Sequence, residues 1–566
     1  MNRFKHIATV ATWAGLLLSL LLFLAISLYQ LYLPGFYYDE ALDLVPMLQL
    51  IHGESPELLR GIGIGSYPIM LLDYMGSWGG YATLPFMWLF GPGVVAARTQ
   101  SIFFSAVSIM LAWLWSRHWF GNGIATLTAL LLAINPSFIW FSRQGISVSS
   151  TMTICSLGAM VLLIKRAKDN KTAPFILHPS SFILHPLPFI LLFAAGFLLG
   201  LGLWVKLLFF RWCVVMAVWL MGYCLTSYPK PSIKQLVQPL VMLGLGLLFG
   251  SAPLIYYNLT GWLRDGNAPT LMLLLNSLNN PTQQFGVDNR NVWGNLLKSW
   301  DDVRVFIDGS YFWYNGTPFS NIYAFPALLL AVPIGGVLSL WQKQARKFLA
   351  LVAGILILIF LGAFTVSGLW STHQFIMLPL PQIILAYATF TVCNLRFVFL
   401  RQTSNTSAKS KIANLALATL LLSPIIATDV WVNSQHHRVL SETGGTGRFS
   451  DAIYKLAEHL DQQKISQPIA LDWGIEKQVR VLTADRVRPL EVFGYSAQAD
   501  DGFRTRAREL LQDPTRHYIV LWDRFAVYNR RLEFTQLAQA MGKQVNETFI
   551  AHERSGLPVY VILKAE

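Results

Sequence analysis

Residues 7–41, IATVATWAGLLLSLLLFLAISLYQLYLPGFYYDEA, carry the reading that decides the fold. The apolar run from Ile7 to Leu33 is long enough to cross a hydrocarbon layer, which takes about 20 helical residues. It is too long for a signal-peptide core and lacks a small-residue cleavage site, so it is read as a membrane span. The run breaks at Pro34-Gly35, and Tyr37-Tyr38-Asp39-Glu40-Ala41 follows at once. Ionised groups this close to a membrane are costly and mark a functional site by default. The competing reading is a solvated cap, with Asp39 as the N-cap of a short helix from Glu40 through Ile51.

The whole chain is of one kind. Of its 566 residues 54% are hydrophobic and 13% charged, with a mean hydropathy of +0.46. Soluble proteins carry roughly a quarter charged residues, so this is a polytopic membrane protein. The formal net charge of +13 does not signify nucleic acid. Its Lys and Arg lie mostly in short loops between apolar runs, as topology requires, and no basic run is interleaved with aromatics. All four cysteines, Cys155, Cys213, Cys224 and Cys393, fall in or at the ends of apolar runs, with no metal-binding spacing.

Eleven apolar runs read as spans: Ile7–Tyr32, Val94–Trp115, Ile124–Phe141, Val148–Ile164, Pro188–Val205, Leu207–Leu225, Leu236–Tyr257, Ala324–Trp341, Phe348–Ser367, Phe375–Leu395 and Ile412–Val432. A cytoplasmic N-terminus (Arg3, Lys5) places Arg117, Lys165-Arg166-Ala167-Lys168, Lys230/Lys234, Lys343/Arg346/Lys347 and Arg396/Arg401/Lys409/Lys411 inside as well. The expected layout is a membrane domain, 1–432, with two large outer loops, 33–93 and 258–323. An outer C-terminal domain, 433–566, follows in a cell (inner or plasma) membrane.

Interfacial helices are expected over Glu40–Ile51 and Trp78–Phe90, and loop with short helices over the second outer segment. Phe175-Ile176-Leu177-His178-Pro179 repeats as Phe182-Ile183-Leu184-His185-Pro186 and reads as a tolerated insertion.

The tail reads as a small α/β domain. Strands are expected at Pro468–Trp473, Val487–Phe493, His517–Trp522, Gln544–Ala551 and Pro558–Lys564, with helices Phe449–Gln462, Phe503–Gln512 and Arg531–Met541 between them. Ser450 or Asp451, and Asp500 or Asp501, are suitable N-caps, and Glu553-Arg554-Ser555-Gly556 suits a closing hairpin turn. Asp472 would end the first strand, where α/β sheets bind ligands, but a turn role fits it better.

On the outer face the ionisable residues are Asp39, Glu40, Asp43, Asp73, Arg98, Arg143, Lys206, Arg211 and His373. Four cations at outer span ends run against the topological trend. One could reach for headgroups, but four beside paired carboxylates suit a lipid phosphate, whose oxygens match a guanidinium fork. Group transfer from such a phosphate needs a base for the acceptor hydroxyl and cations for the leaving group. Asp39 suits the base. Arg98, Arg143, Lys206 and Arg211 suit the clamp, while Glu40 orients a partner or binds sugar hydroxyls. Tyr38, Asp73 and His373 are candidate substrate contacts. For Asp73, an interfacial helix carboxylate is the plainer reading, and Asp301, Asp302 and Asp308 are expected to face water. The sequons at Asn258, Asn315, Asn405 and Asn546 are formal matches only.

The first span followed by Tyr-Tyr-Asp-Glu-Ala resembles the polyprenyl-phosphate-sugar-dependent glycosyltransferases of the GT-C fold. Within them it is most similar to the protein O-mannosyltransferase and aminoarabinose-transferase group, glycosyltransferase family 39. Leu89-Phe90-Gly91 with Ala96-Ala97-Arg98, Asn135-Pro136-Ser137, Ser142-Arg143-Gln144-Gly145, and His373-Gln374-Phe375 before Leu378-Pro379-Leu380-Pro381 carry the resemblance further. It spans roughly Ile7–Leu395 and is strongest up to Ile164.

The resemblance implies inverting transfer of a sugar from a polyprenyl-phosphate donor to a protein, lipid or glycan acceptor. It gives the catalytic carboxylate to Asp39, a supporting role to Glu40 and a phosphate role to Arg98. The lysine that aminoarabinose enzymes often carry later in the first outer loop has no evident match; Arg60 is the nearest cation. No cofactor is assigned. Some relatives hold a divalent metal, for which His373 with Asp39 or Asp73 is the one pairing on offer. A flippase of lipid-linked sugars would show repeats and charges deep within spans. A non-catalytic envelope-assembly protein would depend on 433–566 rather than on Asp39.

Overall fold

The structure, a computed structural model, describes residues 2–169, 187–226, 233–279, 288–366, 368, 370–400 and 408–566. The tandem repeat at 175–186 lies outside these residues, as do Lys230 and Arg401. The long apolar runs all fold as helices because hydrocarbon leaves a backbone no other way to satisfy its polar groups. In chain order they begin with α1 (Asn2–Leu28), α2 (Tyr38–Leu42), α3 (Leu44–Ile51), α4 (Trp78–Phe90), α5 (Val94–Phe120), α6 (Asn122–Ile134), α7 (Pro136–Ser142) and α8 (Ser147–Asp169). Then come α9 (Leu187–Val205), α10 (Phe210–Thr226), α11 (Ile233–Gly250), α12 (Ala252–Asp265), α13 (Pro269–Asn279) and α14 (Val292–Asp308). After these lie α15 (Ala324–Trp341), α16 (Ala345–Gly362), α17 (Leu380–Leu400), α18 (Ala408–Leu421) and α19 (Ser423–Thr443).

Among the described residues five single helices are long and apolar enough to cross a membrane, or up to nine if each bent pair is one span; Thr12–Leu28 and Phe189–Val205 are shorter apolar helices. Four of the expected straight spans are therefore bent. The bends are 59° between α6 and α7, 66° between α11 and α12, 56° between the 3-10 turn Ser371–Met377 and Leu380–Leu395, and 59° between α18 and α19. The first has a visible local cause. The Asn135 side chain caps α7 by accepting from Phe138 N at 3.0 Å, and Pro136 takes the first turn, where its missing N–H costs nothing. A broad band of exposed Leu, Phe and Trp on these helices, including Leu17, Leu21, Leu245 and Phe249, suits contact with lipid.

Small residues let two helices touch backbone to backbone. A Cβ on Gly196 or Gly200 of α9 would lie within 2.1 Å of the Leu243 or Leu247 carbonyl oxygens of α11. Gly246 and Gly250 of α11 stand equally close to the Phe193 and Phe197 carbonyls. Reciprocal four-residue glycine spacing of this kind is a membrane packing device.

The first extramembrane segment folds as α2, α3, two small hairpins and α4. The hairpins pair β1 (Gly63–Ile64) with β2 (Tyr67–Pro68) and β3 (Met70–Leu72) with β4 (Met75–Gly76). The expected helix Glu40–Ile51 is broken at Asp43, and its N-cap is Tyr37 rather than Asp39. The second segment holds a longer helix than expected, α14, with Asp302 and Asp308 buried and Asp301 facing water.

The C-terminal region holds α20 (Ala452–Gln462), β5 (Ile469–Ala470), α21 (Glu476–Leu482), β6 (Leu490–Glu491), α22 (Asp501–Leu511), β7 (His517–Leu521), α23 (Arg531–Ala540), β8 (Val545–His552) and β9 (Pro558–Ala565). Its strand order is β6-β5-β7-β9-β8, parallel among the first three and antiparallel beyond. Asp500 caps α22 through Phe503 N at 2.7 Å. Asp472 at the end of β5 accepts from the backbone N–H groups of Trp473, Val527 and Tyr528, so it closes a turn.

Two features tie this domain to the loop that carries Asp39. Phe36, Ala41, Leu44, Val45 and Leu48 share one apolar core with Ile453, Leu456 and Leu460 of α20 and Ile519 and Ile562 of the sheet. Helix α19 also runs unbroken through the expected boundary at 432/433 to Thr443.

Candidate active site

Asp39 and Glu40, adjacent in sequence, have opposite environments. Glu40 is 1% exposed and forms a two-pronged pair with Arg98, Nε to Oε2 at 2.7 Å and Nη2 to Oε1 at 2.8 Å. Glu40 Oε1 also accepts from Tyr37 N at 3.0 Å, which starts α2. Arg98 donates further to the carbonyls of Leu31 (2.7 Å) and Pro34 (3.0 Å), so it clamps the exit of the first span. Gly145, in the left-handed region at φ 66°, lets the turn after α7 sit against this pair: a Cβ there would come 2.9 Å from Glu40 Oε2.

Arg98 is thus fully buried with its donors engaged, and the expected phosphate role does not fit it. Arg143 is likewise buried and turned to backbone carbonyls, although its Nη1 has no partner among the described residues. It is 1% exposed, donates to the carbonyls of Ser27 (3.2 Å) and Gln30 (2.8 Å), and lies 4.5 Å over Trp140. Two of the four outer cations therefore hold the chain end of α1 in place.

Asp39, on the next face of the same turn, is solvent-exposed and makes no hydrogen bond or ion pair with a described residue. Its surroundings are crowded enough that desolvation raises its pKa above the usual carboxylate value, with Lys206 and Arg448 pulling it down. Asp43, one turn on, is 3% exposed with Oδ1 unpartnered. Burial, and then the Asp39 charge, push it up to about 7 against the pull of Lys206. Asp43 fits only because residue 79 is glycine, where a Cβ would meet its carboxylate at 2.3 Å.

Lys206 stands opposite, in the turn between α9 and α10. Backbone pairing of Met75 with Lys206, and Leu207 N to Tyr74 O at 2.9 Å, stitch that turn to the first loop. Its ammonium has no hydrogen-bond or ion-pair partner among the described residues and feels Asp39, Asp43 and Arg211. Arg211 donates to the His373 carbonyl at 2.9 Å and leaves Nε unpartnered. His373 is 8% exposed, with Nδ1 unpartnered, and is flanked by Lys206 and Arg211. Tyr74 and Tyr311 complete the surroundings, each close enough to feel the Asp39 charge.

The remaining expected contacts lie elsewhere. Tyr38 packs against Trp473, ring centroids 4.5 Å apart, anchoring α2 to the C-terminal domain. Asp73 pairs with Arg60 at 2.7 Å and accepts from Tyr257 Oη at 2.5 Å; although burial opposes it, these donors hold its carboxyl below the usual range. His373 is set between two cations, a poor place for a metal ion, so the pairing with Asp39 or Asp73 does not fit one. Among the described residues the three-ligand cluster found is His52, Glu54 and Asp485, and Arg488 already occupies both its carboxylates.

Sequence pattern places Asp43 among the outer carboxylates without a role, and it does not single out Arg448. Arg448 directly precedes the expected helix start at Phe449, and nothing local marks it: only the fold brings residue 448 back to residue 39.

Residues 79–184 match the family described as dolichyl-phosphate-mannose-protein mannosyltransferase. Comparison with curated proteins gives no significant match. The chain is similar in structure to ArnT from Cupriavidus metallidurans bound to undecaprenyl phosphate. The TM-score is 0.55 at 14% identity, over 98% of this chain and 97% of that one. It is also similar to the archaeal oligosaccharyltransferase AglB from Archaeoglobus fulgidus, in complex with an inhibitory peptide and a dolichol-phosphate. There the TM-score is 0.54 at 13% identity, over 93% of this chain and 71% of that one. The protein is membrane-embedded and has the GT-C fold, the fold of polyprenyl-phosphate-sugar glycosyltransferases.

Proposed function

We propose that the protein transfers a sugar from a polyprenyl-phosphate donor to an acceptor hydroxyl on the extracytoplasmic face of the membrane. One observation carries this reading: Asp39 is an accessible carboxylate without a partner, facing the unpaired ammonium of Lys206, in a GT-C fold.

In the reaction the acceptor oxygen attacks the anomeric carbon from the face opposite the phosphate, and its proton passes to Asp39. The bond between that carbon and the phosphate oxygen breaks, the oxygen keeps the electron pair, and polyprenyl phosphate departs with inverted configuration at the sugar. Lys206, with Arg211 behind it, stabilises the charge gathering on the departing phosphate. Glu40 and Arg98 hold the turn that aims Asp39.

The raised pKa of Asp39 suits a base, whose proton affinity works best near the operating pH. Its sign fixes the pH profile. Activity falls as pH drops through the raised value, because protonated Asp39 cannot accept a proton, and the acid limb lies above the usual carboxylate range. Asp43 is close enough that the limb reports the pair. A kcat/KM profile with its acid limb at ordinary carboxylate values would count against Asp39 as the base.

The direct test offers purified protein a panel of radiolabelled polyprenyl-phosphate sugars and follows label into an acceptor and release of polyprenyl phosphate. Turnover with at least one donor is expected. Movement of intact lipid-linked sugar across a vesicle membrane without bond cleavage would instead establish a flippase.

A further inference from the structure

The turn Gly447–Phe449 leads from α19 into the C-terminal domain and is fixed from several sides. Thr446 N donates to Tyr314 O at 2.8 Å and Gly35 N to Phe449 O at 2.7 Å. The Phe449 ring is stacked between Tyr37 (4.1 Å) and Tyr314 (4.2 Å). Gly35 approaches so closely that a Cβ there would stand 2.0 Å from the Ser450 carbonyl oxygen. The loop before Asp39 and the turn bearing Arg448 are thus one interlocked unit.

Arg448 is the exception in that unit. Its half-buried guanidinium lies 5.5 Å over Trp473, and among the described residues it has neither a hydrogen bond nor an ion pair. The other arginines of this face, Arg98, Arg143 and Arg211, all bind carbonyls or a carboxylate. The side chains that feel the Arg448 charge are Asp39, Tyr37, Asp472 and Tyr560. Asp472 is already engaged by three backbone N–H groups, so Asp39 is the one carboxylate of this set left without a partner. Arg448 and Tyr38 share Trp473, and Phe449 stacks on Tyr37. This unpaired fork is therefore held beside the turn of Asp39 from the side of the C-terminal domain, where it can receive two oxygens of a phosphate.

We propose that Arg448 contacts substrate, engaging a phosphate group bound in front of Asp39, so that the C-terminal domain contributes directly to the active site. The proposal rests on the glycosyltransferase reading for its substrate and on geometry for its residue. The phosphate belongs either to the donor or to the acceptor, and the test separates the two.

Arg448→Gln and Arg448→Lys are compared with the unaltered full-length protein. Arg448 makes no structural hydrogen bond, so both variants are expected to melt with the unaltered protein. Binding of undecaprenyl phosphate, with undecaprenol as the uncharged control, is measured without turnover. A tenfold or greater loss of affinity for the phosphate alone in Arg448→Gln, partly restored in Arg448→Lys, supports the donor form. Unchanged lipid affinity with a tenfold or greater rise in acceptor KM, again partly restored by Lys, supports the acceptor form. In either case Arg448→Gln moves the acid limb of the pH profile upward, because a cation that favours ionised Asp39 is gone.

Unchanged binding, KM values and pH limb overturn the proposal. So does loss of activity that tracks loss of folding in Arg448→Gln and is not restored by Lys. If no donor supports turnover in the unaltered protein, the glycosyltransferase reading fails, and the lipid-binding comparison by itself decides Arg448: unchanged affinity for undecaprenyl phosphate then overturns the proposal.

Discussion

Asp39→Asn lowers kcat by about 10²–10⁴-fold, the range in which positioned acid–base groups contribute, while the protein folds and melts as before. The carboxylate is exposed and has no partner to lose, and the amide removes a charge that desolvation by its crowded surroundings already opposes. Substitutions at such positions change stability by about 0.5 kcal/mol or less. The measurement pairs initial transfer rates with thermal unfolding in detergent. Donor affinity is expected to hold, because the phosphate is bound by cations and not by Asp39. Retention of a tenth or more of the activity would remove Asp39 from the chemistry. Lost activity together with a clearly lower melting point would make it structural.

Arg98→Ala gives the converse result, a protein that fails to hold together. Glu40 would be left charged and buried without its partner, and the Leu31 and Pro34 carbonyls would lose their donor. Removing one member of a buried pair costs about 3–5 kcal/mol, much of it the penalty of the charge left behind. Arg98→Lys recovers little, since an ammonium cannot satisfy a two-pronged carboxylate and two carbonyls together. Replacing both members at once, Glu40→Leu with Arg98→Met, is expected to recover much of the loss. Denaturant unfolding of the three variants decides the matter. An Arg98→Ala protein with full stability but weakened affinity for undecaprenyl phosphate would reinstate Arg98 as a phosphate ligand.

Gly35→Ala tests how far the C-terminal domain depends on the loop before Asp39. The added methyl has no flexible neighbour to displace, only the Ser450 backbone. Faster proteolytic cleavage between α19 and α20 and loss of transfer activity are expected together. Unchanged cleavage would mean that the two segments separate freely.

Pattern alone carried a great deal here. Long apolar runs leave a chain no alternative to helices in hydrocarbon, so the helical membrane domain was readable, and short strands alternating with helices announced the α/β tail. Trp78–Phe90 folds as the helix expected of it. The break at Asn135-Pro136 could be seen as a motif, but its 59° bend could not, because bending depends on what braces it. Here Asn433, almost three hundred residues on, donates to Ile134 O at 2.8 Å and accepts from Trp140 Nε1 at 3.1 Å.

The stretch Tyr37-Tyr38-Asp39-Glu40-Ala41 divides the two kinds of information most sharply. Residue types by themselves determined that two carboxylates follow the first span, at a place where charge is expensive. They could not separate them, since adjacent residues on a helix differ only in direction, and direction has meaning only once neighbours exist. Tertiary structure turned Glu40 into the buried partner of Arg98, Tyr38 into an anchor on Trp473, and Asp39 into the one left open to solvent. It sorted the cations in the same way, burying Arg98 and Arg143 against carbonyls and leaving Lys206 and Arg448 unpaired beside Asp39. Charge is a property of the residue, but its availability is set by which donors and acceptors the fold brings within about 3 Å.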